Sequence, residues 1–447
     1  MKGAHRKVKE VREKVRDFLK KYDMDYDRID IVKEVEVFIE DMQNGLDGKP
    51  GYLDMLPTYI PMSEEIPSNE PVVVMDAGGT NFRVAVVHFD ENKKPVISDF
   101  AKYSMPGMKK EVTRDEFLQT VVNYLKPVIN KSNKIGFCFS YPIEIQPNGD
   151  GKPLRFSKEI KISGLVGEPL GELILNALKE AGYTEDKKIV LLNDTVSTLL
   201  GGKAAYDDRN FDSFIGFILG TGTNTCYIEE GKNIEKLNDS KDQYRNMLIN
   251  TESGAYRRAP YGKMDEEFDK TTVNPNDALF EKKISGAYLG GLAHVVLKYA
   301  MDEGLFSDEF KKLYTDRVDE LTTIDLNFFL RWPFGDNILA EICKETGQKD
   351  RITLYHLFDC LMERAAKLVA INLIAVIKKI NKGQDPSCPV CITADGSSFY
   401  KYKNFKRKLE YYMEEHLVKG LQLYYEFVEA DNANLTGSAI AALAKLS

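Results

Sequence analysis

Residues 72–89 read VVVMDAGGTNFRVAVVHF. Val72 to Met75 form an uninterrupted apolar run that Asp76 ends. Ala77, Gly78, Gly79, Thr80 and Asn81 follow, and a second apolar stretch opens at Phe82. The pattern predicts two strands joined by a tight glycine turn. Adjacent glycines let backbone approach a ligand with no Cβ in the way, and the N–H groups of such a turn can converge on a phosphate. Asp76 puts a carboxylate at the mouth of the turn, where a hydrated Mg²⁺ on that phosphate would sit. Arg83 adds a fixed charge with a fork of donors. The plain alternative is a hairpin whose Asp, Gly and Asn are turn residues only.

Composition narrows the classes. The chain has 447 residues, enough for two or three cores, and its 43% apolar and 29% charged fractions are those of a globular protein. A formal charge of −8 argues against a general nucleic-acid binder. Six scattered cysteines, mostly in apolar segments, fit reduced thiols in a cytoplasmic protein. Cys388-Pro-Val-Cys391 runs straight into Ile392 and Thr393 like a buried strand, with no second pair and no nearby histidine, so it reads as structural. The N-terminal segment is a charged helix with Val8, Val11, Val15, Phe18 and Leu19 at helical spacing. It has no signal-peptide core, and no run approaches the ~18 apolar residues of a membrane span.

Further along, Val96 to Tyr103 predicts a third strand, and Thr113-Arg-Asp-Glu116 a capping box that starts a helix. Ile135 to Phe139 predicts a strand ending at Ser140. Ile189 to Leu192 predicts another, ending at Asn193-Asp194-Thr195 before a helix. Strands alternating with helices indicate an α/β fold. The opening pattern then restarts: strand Phe214 to Leu219, turn Gly220-Thr221-Gly222-Thr223-Asn224, returning strand Cys226 to Ile228. It is an echo in topology rather than in sequence. From about Ile284 the chain reads as mainly helical, interrupted by strand Val390 to Thr393 and the turn Asp395-Gly396-Ser397-Ser398.

Three strand-turn junctions therefore carry phosphate-type chemistry: Asp76 to Thr80, Gly220 to Thr223, and Asp395 to Ser398. No Walker A loop, dinucleotide fingerprint or protein-kinase triplet accompanies them. A second set suits a polyol: Ser140, Ser157, Lys158, Asn193, Asp194, Asn224, Glu252 and Glu281. Sugar hydroxyls each donate and accept, so they call for carboxylates and amides. Asn193 and Asp194 fit equally well as helix caps.

On these motifs the chain resembles the hexokinase family of the actin-like ATPase superfamily, over almost its whole length. DAGGTNFRV is similar to the family's first phosphate motif, GFCFSYP to its sugar-binding strand end, and Phe156-Ser157-Lys158 to its Trp-Thr-Lys loop. LLNDTVSTLL resembles the junction carrying the base, GTGTNTCYIE the second phosphate motif, and INTESGAY and FEKKISGAYLG the segments of two sugar-binding glutamates. ADGSSFY and LTGSAIAALA resemble the adenosine-side turn and the closing helix. Ala77, Phe156, Ser253 and Gly291 depart from the usual residues, the middle two replacing tryptophans; these changes bear on sugar selectivity, not on the reaction.

The resemblance implies a two-lobed, ribonuclease H-like fold with mixed sheets flanked by helices and a cleft between the lobes. The small lobe would hold residues 71–202 and 430–447, the large lobe residues 1–70 and 203–429. It implies ATP-dependent phosphorylation of the 6-hydroxyl of a hexose, glucose first, opening glycolysis in the cytoplasm. Asp194 would be the base, with Lys158 beside it. Ser140, Ser157, Lys158, Asn193, Asp194, Asn224, Glu252 and Glu281 would hold the sugar. Asp76, Gly78, Gly79, Thr80, Asn81, Arg83, Gly220, Thr221, Gly222, Asp395, Gly396 and Ser397 would hold ATP. Mg²⁺ would arrive on the phosphates with no direct protein ligand, Asp76 acting through water. No membrane or nucleic-acid partner is implied, and the protein would be a monomer or homodimer. The rival readings are a sugar sensor of reduced activity, an actin-like ATPase without a sugar acceptor, and a kinase preferring fructose, mannose or an N-acetylhexosamine. The single tryptophan, Trp332, suggests itself as a fluorescence reporter of sugar binding.

Overall fold

The structure, a computed structural model, describes residues 2–61, 66–156, 160–206, 208–238 and 244–446. Its frame is two mixed sheets. The five-stranded sheet runs Lys188–Leu192, Lys134–Phe139, Val72–Ala77, Asn81–Phe89, Pro95–Ser104. The six-stranded sheet runs Leu56–Pro57, Asn246–Asn250, Thr223–Glu230, Ser213–Leu219, Val390–Asp395, Tyr425–Val428.

The two share a plan. Val72–Ala77 has an antiparallel hairpin partner on one side and two successive parallel strands on the other. Ser213–Leu219 has the same neighbours: the antiparallel Thr223–Glu230, then the parallel Val390–Asp395 and Tyr425–Val428. The echo in the sequence is thus a repeat of topology. The expected third strand occupies Pro95–Ser104, and the Thr113–Glu116 capping box forms, with Glu116 N donating to Thr113 Oγ1 at 3.3 Å.

Every residue of Val72–Ala77 is buried, which follows from cover on both faces. Alternate residues face opposite ways. Val73, Met75 and Ala77 pack with Phe117, Val121 and Ile174, from helices Arg114–Leu125 and Leu170–Glu180. Val72 and Val74 pack with Leu435 and Ala439, from helix Ala433–Lys445. The larger sheet meets helix Asp194–Ala205 on one face, with Val196 and Leu199 against Cys226 and Leu248. Its other face belongs to the main core, threaded by the 33-residue helix Gln348–Ile380.

Helices Asp194–Ala205 and Ala433–Lys445 therefore cross between the sheets. The approach is close because small residues line it. A Cβ on Gly437 would lie 2.0 Å from the Ser197 carbonyl oxygen, so only glycine fits. Ser197 Oγ and Ser438 Oγ are 3.2 Å apart at the same crossing. Helix Asp194–Ala205 belongs to the seam, since it packs on the larger sheet while following a strand of the smaller one.

All six cysteines are free thiols, and Cys391 is buried in its strand. Among the described residues no group of three or more His, Cys, Asp or Glu is arranged to hold a metal ion. No helix among them is long and apolar enough to cross a membrane.

Candidate active site

Strand register brings the candidate residues together. In the smaller sheet Cys138 pairs with both Asp76 and Leu192, so Asp76, Ser140 and Asn193 emerge at one edge. In the larger sheet Ile218 pairs with Asp395, so the turns after Leu219 and Asp395 are neighbours. Gly396 Cα lies 3.5 Å from where a Cβ on Gly220 would stand. Ser398 Oγ donates to the Gly220 carbonyl at 2.9 Å, tying the two turns together. Both groups lie at carboxyl ends of parallel strands, where α/β sheets present ligands.

The two edges face each other, which the carboxylates record. Asp76 is fully buried; burial raises its pKa, the Arg83 ion pair opposes this, and the charge of Asp395 raises it further. Burial lifts Asp194 to about 6, against hydrogen bonds from Ser140 and Thr195 and with the charge of Asp76 adding to the rise. Thr195 Oγ1 donates to Asp194 Oδ1 at 3.2 Å. A carboxylate raised to about 6 is still mostly ionised at neutral pH yet binds a proton more readily than an ordinary aspartate, which suits it to accept one. Arg83, from the neighbouring strand, meets the Asp76 carboxylate in an ion pair.

The polyol set forms a chain of amides. Asn193 caps its helix, its Oδ1 accepting from Thr195 N at 2.9 Å. The cap reading is therefore correct for Asn193, and it is not the whole account. Asn224 Nδ2 donates to that same Asn193 Oδ1 at 3.3 Å and to Asn250 Oδ1 at 2.7 Å. Asn250 Nδ2 donates in turn to Glu252 Oε1 at 2.8 Å. Glu252 has φ 53°, in the left-handed region that a glutamate adopts only under constraint. Glu281 joins beside it, accepting from Thr223 N at 2.9 Å. Gly222 makes room for it: a Cβ there would stand 2.4 Å from Glu281 Oε2. Burial lifts both carboxyls to about 7, and Arg155 lies close enough to favour the charged form of each.

The remaining candidates divide clearly. Gly78, Gly79 and Thr80 form the first turn, with Gly78 N donating to Asn81 O at 3.0 Å and Asn81 Nδ2 to Thr80 Oγ1 at 2.8 Å. The Thr221 carbonyl accepts from Ala287 N at 3.0 Å. Ser397 opens the short helix Ser397–Lys401. Ser157 and Lys158 lie outside the described residues.

Sequence reasoning missed Asn250, Arg155, and Tyr141, whose hydroxyl donates to the Gly78 carbonyl at 3.2 Å. Tyr141 stood in the quoted SYP segment and could have been found there. Asn250 becomes visible only through its pairing with Cys226. Of the departures, Ser253 is fully buried with its Oγ donating to Thr225 Oγ1 at 3.3 Å, and Phe156 packs edge-on against Tyr141 at 5.6 Å between ring centroids. Gly291 lies against Phe268: a Cβ there would meet the ring at 2.5 Å, so the usual glutamate would need that ring to move.

The duplicated strand plan, with glycine turns at the carboxyl ends of its strands, gives the two-lobed fold of the actin-like ATPases. More particularly, the chain belongs to the hexokinase family: family models described as hexokinase match residues 14–204 and 214–444. It is 29% identical over 406 residues to hexokinase-5 of Oryza sativa subsp. japonica, covering 84% of this chain and 78% of that protein. It is 27% identical over 421 residues to hexokinase-1 of Schizosaccharomyces pombe, covering 90% and 85%. A hexokinase from Schistosoma mansoni complexed with glucose superimposes with a TM-score of 0.76 at 22% identity, covering 97% of this chain and 99% of that one. The chain is a hexokinase phosphotransferase, and its reaction is the ATP-dependent phosphorylation of a hexose.

Proposed function

We propose that the acceptor is the 6-hydroxyl of glucose, that Asp194 is the base, and that Asn193, Asn224, Glu252, Glu281 and Ser140, with Ser157 and Lys158, hold the sugar. The observation that carries this reading is the unbroken amide chain from the helix cap beside Asp194 to Glu252. Each amide spends its donors and acceptors in a fixed sense, which leaves the two glutamates with acceptor capacity for sugar hydroxyls. Asp194 then takes the hydroxyl proton as the oxygen attacks phosphorus.

On the nucleotide side, we propose that the turns at Gly78–Asn81, Gly220–Gly222 and Asp395–Ser397 cradle ATP. Asp76, its carboxylate fixed by Arg83 at the foot of the first turn, would meet Mg²⁺ held by the phosphates through water. When bound, Mg²⁺ offsets charge on the phosphoryl oxygens. Residues 71–202 with 430–447, and 1–70 with 203–429, are proposed as the lobes that close on the sugar, pivoting where helices Asp194–Ala205 and Ala433–Lys445 cross. Closure would exclude water as a competing acceptor. We assign the enzyme to the cytoplasm, as a monomer or homodimer that opens glycolysis.

The test is sugar-dependent ADP release at fixed MgATP over glucose, fructose, mannose and N-acetylglucosamine. Glucose should give the highest kcat/KM, and a larger value for another sugar would replace glucose as the acceptor. ADP release indifferent to every hexose would end the reading.

A further inference from the structure

Glu252 has φ 53°, and the residues on either side of it are both tied to Thr225, in the neighbouring strand Thr223–Glu230. Thr251 N donates to the Thr225 carbonyl at 3.0 Å, and Thr251 Oγ1 donates to the same oxygen at 2.8 Å. Ser253 Oγ donates to Thr225 Oγ1 at 3.3 Å. A glutamate keeps a left-handed conformation only where its surroundings over-determine it, and Thr225 supplies that constraint from both flanks. The Thr225 hydroxyl is itself held from a third element. Asn372, in helix Gln348–Ile380, donates through Nδ2 to Thr225 Oγ1 at 2.7 Å. Thr225, Thr251, Ser253 and Asn372 are all fully buried. Asn250 thus holds the Glu252 side chain, and the Thr225 set holds its backbone.

Asn372 is out of keeping with its own helix. From Leu368 to Ile377 every other residue is apolar and packs in the main core. An amide is costly to bury among such side chains, and this one is only half satisfied: no described donor reaches its buried Oδ1. Packing alone would favour leucine here. Thr225 Oγ1 does not depend on the amide for a partner either, since Ser253 also donates to it. What the contact does is fix where the Thr225 hydroxyl stands, and with it Ser253. We propose that Asn372 is a positioning residue for the sugar site, fixing Thr225 so that Thr251 and Ser253 hold Glu252 in the turn that presents its carboxylate to the sugar. The inference rests on the reading of Glu252 as a sugar ligand. Asn372 does not touch substrate; it acts through Thr225.

The experiment compares N372L, T225V, T225S, the double variant N372L/T225V and E252Q with the parent chain. Glucose binding is measured by calorimetry, alongside KM for glucose and for ATP and the melting temperature. Leucine and valine keep the volume without the polar group; T225S keeps the hydroxyl. N372L is expected to weaken glucose binding and raise its KM by about 3–10-fold, the worth of one hydrogen bond. The ATP KM and the melting temperature should stay close to those of the parent. T225V should lose at least as much, and T225S should recover most of that loss. The double variant should be no worse than T225V, because Asn372 acts through Thr225. If N372L does not fold, N372A carries the same comparison. Parent-like glucose binding in the variant without the amide overturns the proposal, as do equal rises in both KM values, an equal loss in T225S, or losses that add in the double variant. E252Q separates the two readings. If E252Q binds glucose as the parent does, the role given to Glu252 fails and this inference with it. If E252Q loses binding while N372L does not, only the role of Asn372 fails.

Discussion

Asn224 Nδ2 donates to Asn250 Oδ1 at 2.7 Å, a contact between neighbouring strands of the larger sheet from which the chain of amides runs in both directions. On one side Asn224 reaches Asn193, at the end of the smaller sheet; on the other Asn250 holds Glu252. Both amides are buried. Replacing Asn250 by Ala leaves Asn224 with an unmet donor and Glu252 without its amide. Buried polar groups left unpaired cost about 1–3 kcal/mol. The sugar KM of Asn250→Ala should rise by about 10-fold or more, with the ATP KM changing far less. Matching rises for both substrates would mean that Asn250 supports the fold and not the sugar site.

The buried glutamates carry a cost in stability. Burial lifts Glu281 from 4.5 to about 7. Between those values the native state keeps a proton that the unfolded chain has released. Its contribution to stability is therefore full below about 4.5 and is lost as pH rises through about 7. Glu281→Gln removes the titration and keeps an oxygen for Thr223 N. The variant should melt higher than the parent at about pH 8 and at nearly the same temperature at about pH 5. Its sugar KM should rise at both. A uniform shift in melting temperature at every pH would assign the effect to packing.

What could be read from the chain follows from what each feature depends on. The opening strands were legible because Val72 to Met75 and Phe82 to Phe89 are apolar runs that stop at turn residues. Asp194, Asn193, Asn224, Glu252 and Glu281 were legible because each is polar at the end of an apolar segment. Asn250 was not, because its role comes from lying opposite Cys226, and register is not written in one strand. The helix crossing rests on Gly201 and Gly437 meeting Ala433 and Ser197, which are far apart in sequence. Trp332 is 54% exposed at the end of helix Thr323–Arg331, against Phe328.

The first glycine turn gives a prediction in which fold and function separate. A Cβ on Gly79 would meet no atom within 4 Å, and Gly79 is not among the glycines with positive φ. Gly79→Val should therefore fold with a melting temperature close to that of the parent. If phosphate lies on the turn, the added side chain stands where the ligand must approach. KM for MgATP should rise about 10-fold or more while calorimetric sugar binding is retained. Unchanged ATP kinetics in a folded variant would remove this turn from the nucleotide site.

Asp194 carries the sharpest test. It begins its helix beside the Asn193 cap, it accepts from Ser140 and Thr195, and burial holds it at about 6. Ionised, it can take the hydroxyl proton; protonated, it cannot. The kcat of the parent should therefore climb with pH through about 6 and level off above it. Asp194→Asn keeps the shape and the contacts with Ser140 and Thr195 but removes the basicity. Its kcat should fall by roughly 10²–10⁴ and lose the climb near that pH. Sugar binding, followed by calorimetry, should stay within about threefold of the parent. A variant with near-parent kcat would leave Asp194 as a ligand or helix residue, and one that binds no sugar would make it a binding group first and a base second.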